Sequence, residues 1–386
     1  MNMISKLSTA LSLSSIALAS CAYAQSGESA GTTPEEAGVS VEDMGTFARP
    51  WAIEFLPGTD TLAITEKAGT LKLMKTGSGE VTQVTGLPEV AFGGQGGLGD
   101  VAFLESEEDR EDGRTIYLSW AEAGADEGTY GAAVGKGFLT CDDEANACAI
   151  EGLEVIWRQG PKVKGQGHYS HRIEVSPDGK YLFIASGDRQ KQKPAQNLEN
   201  TLGTIVRLNL DGTPAAGNPF AGDKGVPDEI WSYGHRNILG MDFAADGTLW
   251  EIEHGPAGGD ELNLVTRKAN YGWPVRSNGD NYNGVDIPDH TADDGFSKPA
   301  IHWTPVIAPG DMLIYSGDMF GPWKGNALIP GLRTKALVRV EIDGESATEA
   351  ARYTFENRLR SVTQAPDGSI WIAEDGEEGR VLRLSM

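Results

Sequence analysis

The sequence predicts an all-β protein, a six-bladed β-propeller of four-stranded antiparallel blades closed into a ring by an N-terminal strand. Three observations predict it. A unit made of an apolar alternating run, a Pro-Asp-Gly-like turn and a second apolar run recurs along the chain. Glycine is 50 of 386 residues, nearly twice the ordinary share of about 7%, and accompanies nine Trp, ten Tyr and eleven Phe. No long stretch carries the 3.6-residue apolar period of an amphipathic helix, which argues against a dinucleotide-binding α/β domain.

The unit is read most plainly at Trp51-Ala-Ile-Glu-Phe-Leu-Pro-Gly-Thr-Asp-Thr-Leu-Ala-Ile and at Ile173-Glu-Val-Ser-Pro-Asp-Gly-Lys-Tyr-Leu-Phe-Ile. Met241-Asp-Phe-Ala-Ala-Asp-Gly-Thr-Leu-Trp and Val362-Thr-Gln-Ala-Pro-Asp-Gly-Ser-Ile-Trp-Ile follow it closely. Weaker copies lie at 98–118 and 312–342. Alternation with period two puts every second side chain on one buried face. Asp-Gly between two such runs tolerates the positive φ of a tight hairpin turn. Six units share the 362 residues after position 24, about 60 each, room for four strands and loops. Radial repetition lets small sheets share a core and protects their edges. Residues 39–47 are expected to pair with the C-terminal strands. A pair of β-sandwiches would account for the strands but not for the recurring unit.

The N-terminus reads as an export signal. Lys6 precedes the apolar run 7–19, too short to span a bilayer, and Ala22-Tyr23-Ala24 fits a small-x-small cleavage pattern. Leu18-Ala-Ser-Cys21 offers a second reading, a lipoprotein box that would leave Cys21 lipidated. The protein is therefore expected in the periplasm or secreted, or anchored to the envelope through lipid. Residues 25–38 are expected to be a flexible leader, and 39–386 one catalytic domain. Cys141 and Cys148 remain after export, and in an oxidising compartment they are expected to form a disulfide. A two-cysteine metal site lacks a third ligand nearby.

Charge excludes one class of partner. With 56 acidic and 32 basic residues the net charge is −24, so a nucleic acid would be repelled.

Four polar clusters lie just outside the strand patterns, where a rigid scaffold presents function. In Gly93-Gly-Gln95-Gly-Gly-Leu-Gly99-Asp100 the glycines permit close backbone approach to a ligand, and Gln95 alone can reach out; a tight bend between strands reads equally well. Gly165-Gln-Gly-His168-Tyr-Ser-His171-Arg172 offers a histidine as general base, against a surface histidine bonded to backbone or a metal-ligand pair. The third cluster joins Gly234-His235-Arg236-Asn237, Glu251-Ile-Glu253-His254-Gly255-Pro256 and Asp260-Glu261, and Ala269-Asn-Tyr271-Gly-Trp-Pro274. Carbonyls freed at Gly255-Pro256, with carboxylates nearby, suit Ca²⁺; a zinc site from His235 and His254 competes with that reading. In the fourth, Arg358 and Arg360 are two apart on one strand face, with Arg333 and Lys335 in the preceding unit. Converging cations in so acidic a chain suggest a bound anion, probed best by the bidentate grip of Arg on carboxylates; solvated or salt-bridged surface arginines are the plain alternative.

Taken together, Gly94-Gln-Gly-Gly-Leu, His168-x-x-x-Arg172, Gly187-Asp188-Arg189, Ile230-Trp-Ser-Tyr-Gly-His-Arg-Asn237, Glu253-His-Gly-Pro-x-Gly-Gly-Asp-Glu-Leu-Asn263, Asn270-Tyr-Gly-Trp-Pro274 and Asn357-Arg-Leu-Arg360 resemble, in this order, the glucose/sorbosone dehydrogenase family. The resemblance runs from about Phe47 to the C-terminus. It implies a soluble, exported aldose sugar dehydrogenase dependent on pyrroloquinoline quinone (PQQ). His168 would remove the C1 hydroxyl proton of a sugar while hydride passes from C1 to a quinone carbonyl carbon. Ca²⁺ on the carbonyls of Gly255 and Pro256 would polarise that carbonyl, and Arg236 would stabilise charge growing on its oxygen. Gln95 and Asn237 would orient cofactor and substrate, and Trp303 would lie against the quinone plane. Arg358, Arg360 and Arg333, or Lys335 beside it, would hold cofactor carboxylates. A second, structural Ca²⁺ would take the Glu261 carboxylate and the Tyr271 carbonyl. Gly167 stands where glucose-selective members carry Asp, and with His171 it implies broad sugar specificity. A quinone or cytochrome would accept the electrons from a monomer or homodimer. A Ca²⁺-dependent sugar lactonase and a cofactor-free binding propeller are the rival functions; a lactonase has no need of Arg358 and Arg360 together.

Overall fold

The computed structural model describes the backbone of residues 24–25 and all of 31–142 and 147–386. The repeated unit folds as read. Pro50–Phe55 pairs antiparallel with Thr61–Glu66, Ser170–Val175 with Tyr181–Ser186, Ile238–Phe243 with Leu249–Glu253, and Leu359–Gln364 with Ile370–Glu374. Gly58, Gly179, Gly247 and Gly368 in the connecting turns have φ of 71, 66, 85 and 83°, where a side chain would be strained. The weaker copies are also hairpins, Leu98–Phe103 with Arg114–Ala123 and Leu313–Ile314 with Ala327–Pro330.

Each hairpin is extended outward by further antiparallel strands. Thr204–Asn209 and Ile230–Tyr233 complete one four-stranded sheet, and Ala336–Asp343 and Ser346–Thr354 another. Ser40–Phe47 pairs antiparallel with the C-terminal strand Gly379–Ser385, in register Ser40 to Ser385 and Phe47 to Gly379. The first strands of successive units pack side by side, and the one beginning at Leu359 packs against the one beginning at Pro50. The result is an all-β, nearly closed, barrel-like arrangement. Its core lies between neighbouring sheets: Ala102, Tyr117 and Val134 meet Ile173, Leu182 and Val206, while Ile53 and Leu62 meet Phe47, Trp371 and Val381. Burying such aliphatic and aromatic side chains contributes about 1.5–3 kcal/mol each.

Two features depart from the expectation. Residues 31–38, read as part of a flexible leader, are held in place: Thr32 donates to the Arg352 carbonyl and accepts from Thr354 N–H, and Glu35–Ala37 form a 3₁₀ turn. Backbone groups that find partners on an exposed sheet edge order even a polar segment. Cys148–Arg158 pairs in parallel with Val81–Thr85 and so fuses two units into a nine-stranded sheet. Cys141 and Cys148 form a disulfide across the antiparallel pair Thr129–Cys141 and Cys148–Arg158. The export signal, Cys21 included, lies outside the described residues apart from the backbone of Ala24. No helix among the described residues is long and apolar enough to cross a membrane.

Candidate active site

His168 sits at the entry to the strand Ser170–Val175 and is 6% exposed. Its Nδ1 lies 2.7 Å from Asp188 Oδ1, and its backbone N–H donates to Gln95 Oε1 at 2.6 Å. Asp188 is fully buried and accepts also from Trp273 Nε1 at 2.8 Å and from the backbone N–H groups of Gln190 and Gln192. These bonds fix the carboxylate, and the carboxylate orients the imidazole. Burial pushes His168 below the usual histidine range, against the opposing pull of Asp188. The ring is then neutral at pH 7, with Nδ1–H donated to Asp188 and the Nε2 lone pair available as a base.

The loop is strained and held. His168, Ser170, His171 and Arg189 have φ between 48 and 56°, a region bulky residues occupy at a cost of about 1–3 kcal/mol each. Arg189 holds it by donating to the carbonyls of Gly165 and Gly167 while its guanidinium stacks 3.7 Å over the Tyr169 ring. The glycine run 93–99 gives this loop room: a Cβ on Gly99 would lie 1.9 Å from the His171 ring, and one on Gly94 2.6 Å from the Gln166 carbonyl. His171 is not beside His168 as a ligand. It stacks on Trp51 at 4.9 Å and bonds Ser119 Oγ.

Arg236 and Asn237 stand on the next unit. Their backbone N–H groups both donate to Glu253 Oε2, at 2.6 and 3.1 Å. The Arg236 guanidinium donates to the His254 carbonyl, lies 5.2 Å over Trp273, and keeps a buried Nε without a partner.

A cavity of about 490 Å³ opens between Asn237, the residues flanking His168 and the C-terminal unit; His168 and Arg236 stand outside its lining. Gln95, Tyr169, Asn237 and His254 line it together with Arg49, Lys67, Arg358, Arg360, Asp375 and Glu377. Four cations thus face two carboxylates. Asp375 accepts from Arg358 Nε at 2.8 Å and from Arg360 Nη2 at 2.8 Å, which confirms that the two arginines share a face. Among the described residues Lys67 donates to the Gly94 carbonyl alone, at 3.1 Å, and it is held below the usual lysine range by burial and by Arg360. The uncompensated positive charge fits an anionic ligand that arginine can grip, such as a carboxylate.

A small neighbouring cleft is lined by Gly255, Glu261, Tyr271, Arg236 and Trp273. Among the described residues no hydrogen bond is donated to the carbonyls of Gly255, Pro256 or Tyr271, although all three residues are buried. Glu261 is buried and pushed well above the carboxylate range by burial and then by Glu253 and Glu251. Orphan buried carbonyls beside an unneutralised carboxylate are the donor set of a hard cation. The residues therefore fit Ca²⁺.

Three expected residues are elsewhere. Trp303 is wholly buried in the core with Trp250, Ile252 and Ile329, its Nε1 bonded to Glu349, because its strand packs that face against the next sheet. Trp273 is the indole at the site. Arg333 and Lys335 are exposed and do not line the cavity; Lys335, at φ 52°, turns its Nζ to the Glu356 carbonyl. Lys67 supplies the further cation. His235 and His254 do not share a zinc site, since His254 Nε2 bonds the Pro309 carbonyl. Asp188 and Asp375 were missed as functional residues. Asp188 had a signal, because it sits in the Gly187-Asp188-Arg189 motif; Asp375, seventeen residues from Arg358, had none.

Residues 47–383 match the family model described as glucose/sorbosone dehydrogenase. The aldose sugar dehydrogenase YliI of Escherichia coli is 36% identical over 341 residues, covering 87% of this chain and 90% of that protein. A crystal structure of the soluble aldose sugar dehydrogenase from E. coli in the apo form superposes with TM-score 0.83 at 34% identity, over 90% of this chain and 99% of that one. The PQQ-bound aldose sugar dehydrogenase of Streptomyces coelicolor superposes with TM-score 0.71 at 25% identity, over 90% and 98%. With family model, relatives and site motifs in agreement, this chain belongs to the glucose/sorbosone dehydrogenase family.

Proposed function

We propose that the protein oxidises aldose sugars at C1 to the lactone, with PQQ as acceptor, Ca²⁺ at the cofactor, and broad sugar specificity. The observation that carries this reading is a neutral histidine, His168, fixed by buried Asp188, next to a cavity in which four cations face two carboxylates. In this reading Arg358, Arg360 and Lys67 hold the cofactor's carboxylates. Gly255 and Pro256 offer Ca²⁺ their carbonyls, and Glu261 with Tyr271 holds a second ion. When bound, PQQ supplies the two-electron acceptor for the hydride that leaves C1. His168 Nε2 takes the C1 hydroxyl proton, because Nδ1 is committed to Asp188. Arg236 offers guanidinium N–H groups where negative charge develops. Gln95 and Asn237 orient the ligands.

The same reading includes a six-bladed propeller ringed by the strand Ser40–Phe47, export from the cytoplasm, and a quinone or cytochrome as final acceptor. The lactonase alternative is disfavoured by the surplus of cations, for which a neutral lactone has no use. The test is reconstitution. Metal-free apoprotein given Ca²⁺ and PQQ should reduce an artificial dye when an aldose is added, and the lactone should accumulate. Cofactor binding without dye reduction across a dozen sugars would overturn the proposal.

A further inference from the structure

Behind Arg236 and Asn237 lies a buried cluster to which the function described above gives no ligand. His235 Nδ1 and carboxylate oxygens of Glu251 and Glu253 all lie within 4.8 Å of one another. His235 and Glu251 are wholly buried and Glu253 is 4% exposed. His235 Nδ1 stands 3.5 Å from Glu251 Oε1 and 3.5 Å from Glu253 Oε1, and it has no hydrogen-bond partner. Glu251 Oε2 and the side-chain oxygen of Asn263 also lack a donor. Glu251 Oε1 accepts from Asn263 Nδ2 at 2.8 Å, and no hydrogen bond satisfies His235 Nδ1 or Glu251 Oε2 among the described residues.

We propose that His235, Glu251 and Glu253 form a buried site for a divalent transition ion of the zinc class. Geometry is the first argument. At 3.5 Å the nitrogen–oxygen pairs are too long to be good hydrogen bonds. They match the edge of a tetrahedron around an ion with bonds near 2.0–2.2 Å, which is about 3.3–3.6 Å. Second, the imidazole is oriented as a ligand: Nε2 lies 2.9 Å from Ser232 Oγ, so a proton on Nε2 frees Nδ1 for a metal. Stacking on Tyr271 at 4.4 Å fixes the ring plane. Charge is the third argument. Two carboxylates in the interior are costly unless neutralised; an imidazolium neutralises one, whereas a divalent ion with a neutral imidazole neutralises both. The nitrogen ligand separates this site from the oxygen-only set at Gly255, Pro256, Glu261 and Tyr271, and nitrogen favours zinc-class ions over Ca²⁺.

The test uses the full chain. Protein is stripped with chelator, refilled with excess Ca²⁺ so that oxygen sites are occupied, and titrated with Co²⁺ and then Zn²⁺. The site predicts saturation at one ion per chain, the visible bands of four-coordinate Co²⁺, and their loss when Zn²⁺ is added. His235→Gln and Glu251→Gln should each weaken Zn²⁺ binding by at least tenfold. Absence of a stoichiometric Co²⁺ spectrum in the unsubstituted protein overturns the proposal, and this result does not depend on whether a variant folds. Unchanged Zn²⁺ affinity in both folded variants overturns it equally. The cluster would then be an imidazolium clamped between two carboxylates.

Discussion

His168 Nδ1 and Asp188 Oδ1 are 2.7 Å apart with both side chains buried. This pair decides which nitrogen of His168 faces a ligand, while burial, against the pull of Asp188, keeps that nitrogen unprotonated at neutral pH. Replacing His168 with Gln should lower turnover by about a hundredfold to ten-thousandfold while leaving cofactor affinity within a few fold. Asp188→Asn should lower turnover comparably, since the imidazole loses its orienting acceptor. Equilibrium cofactor titration beside steady-state kinetics separates the two effects.

The pH profile follows from the direction of the shift. His168 lies below the usual histidine range because it is buried. The active form is the neutral one, so kcat/KM should be flat at neutral pH and fall only as pH drops through a value below about 6.5. Asp188 raises that pKa, so Asp188→Asn should move the acid limb to still lower pH. A limb that moves upward instead would assign the titration to another group.

Arg358 and Arg360 converge on Asp375 at the cavity wall. Charge-assisted hydrogen bonds contribute about 1.5–3 kcal/mol each, so Arg360→Ala should weaken binding of a carboxylated quinone about 10- to 150-fold. Lys67→Gln should weaken it less, and Arg333→Ala should leave it unchanged because Arg333 is exposed outside the cavity. Cofactor fluorescence or equilibrium dialysis reads all three.

Ca²⁺ should stabilise the fold through Glu261 and the orphan carbonyls. An ion held at a hundredfold excess over its Kd adds about 2.7 kcal/mol. Chelation should therefore lower Tm by several degrees. Glu261→Gln should remove most of the Ca²⁺-dependent increment, as scanning calorimetry with and without Ca²⁺ would record.

A second cavity, about 600 Å³, is lined by Glu54, Glu174, Asp242 and Asp311. Burial raises all four, Asp242 to about 7 and Asp311 to about 6. A carboxyl raised in the folded state contributes stability that is present below about pH 4 and lost as pH rises through its folded pKa. At fixed Ca²⁺, Tm should fall between pH 5 and 7.5, and Glu174→Gln should flatten that fall. Chemical unfolding at several pH values checks the slope.

The hairpins were legible because Asp-Gly turns between alternating runs are local signals, and Gly179, Gly247 and Gly368 do take the expected positive φ. The motifs placed Gln95 and Asn237 where the fold does bring them to one cavity, with His168 bonded to Gln95 and Arg236 on the small cleft beside it. What escaped depends on distance in the chain. Lys67 and Arg49 reach the cavity from the first unit and Asp375 from the last; no spacing relates them. Trp303 was misread because an aromatic in a polar segment carries no sign of the strand face it occupies, and here that face is core.

The central claim is hydride removal from C1 with His168 as base. Its most direct test is anaerobic stopped-flow mixing of Ca²⁺- and PQQ-loaded protein with an aldose. The account predicts bleaching of the bound quinone in one turnover, slowed severalfold by deuterium at C1 and nearly abolished in His168→Gln. No bleaching with any aldose, or bleaching equally fast in His168→Gln, would contradict it.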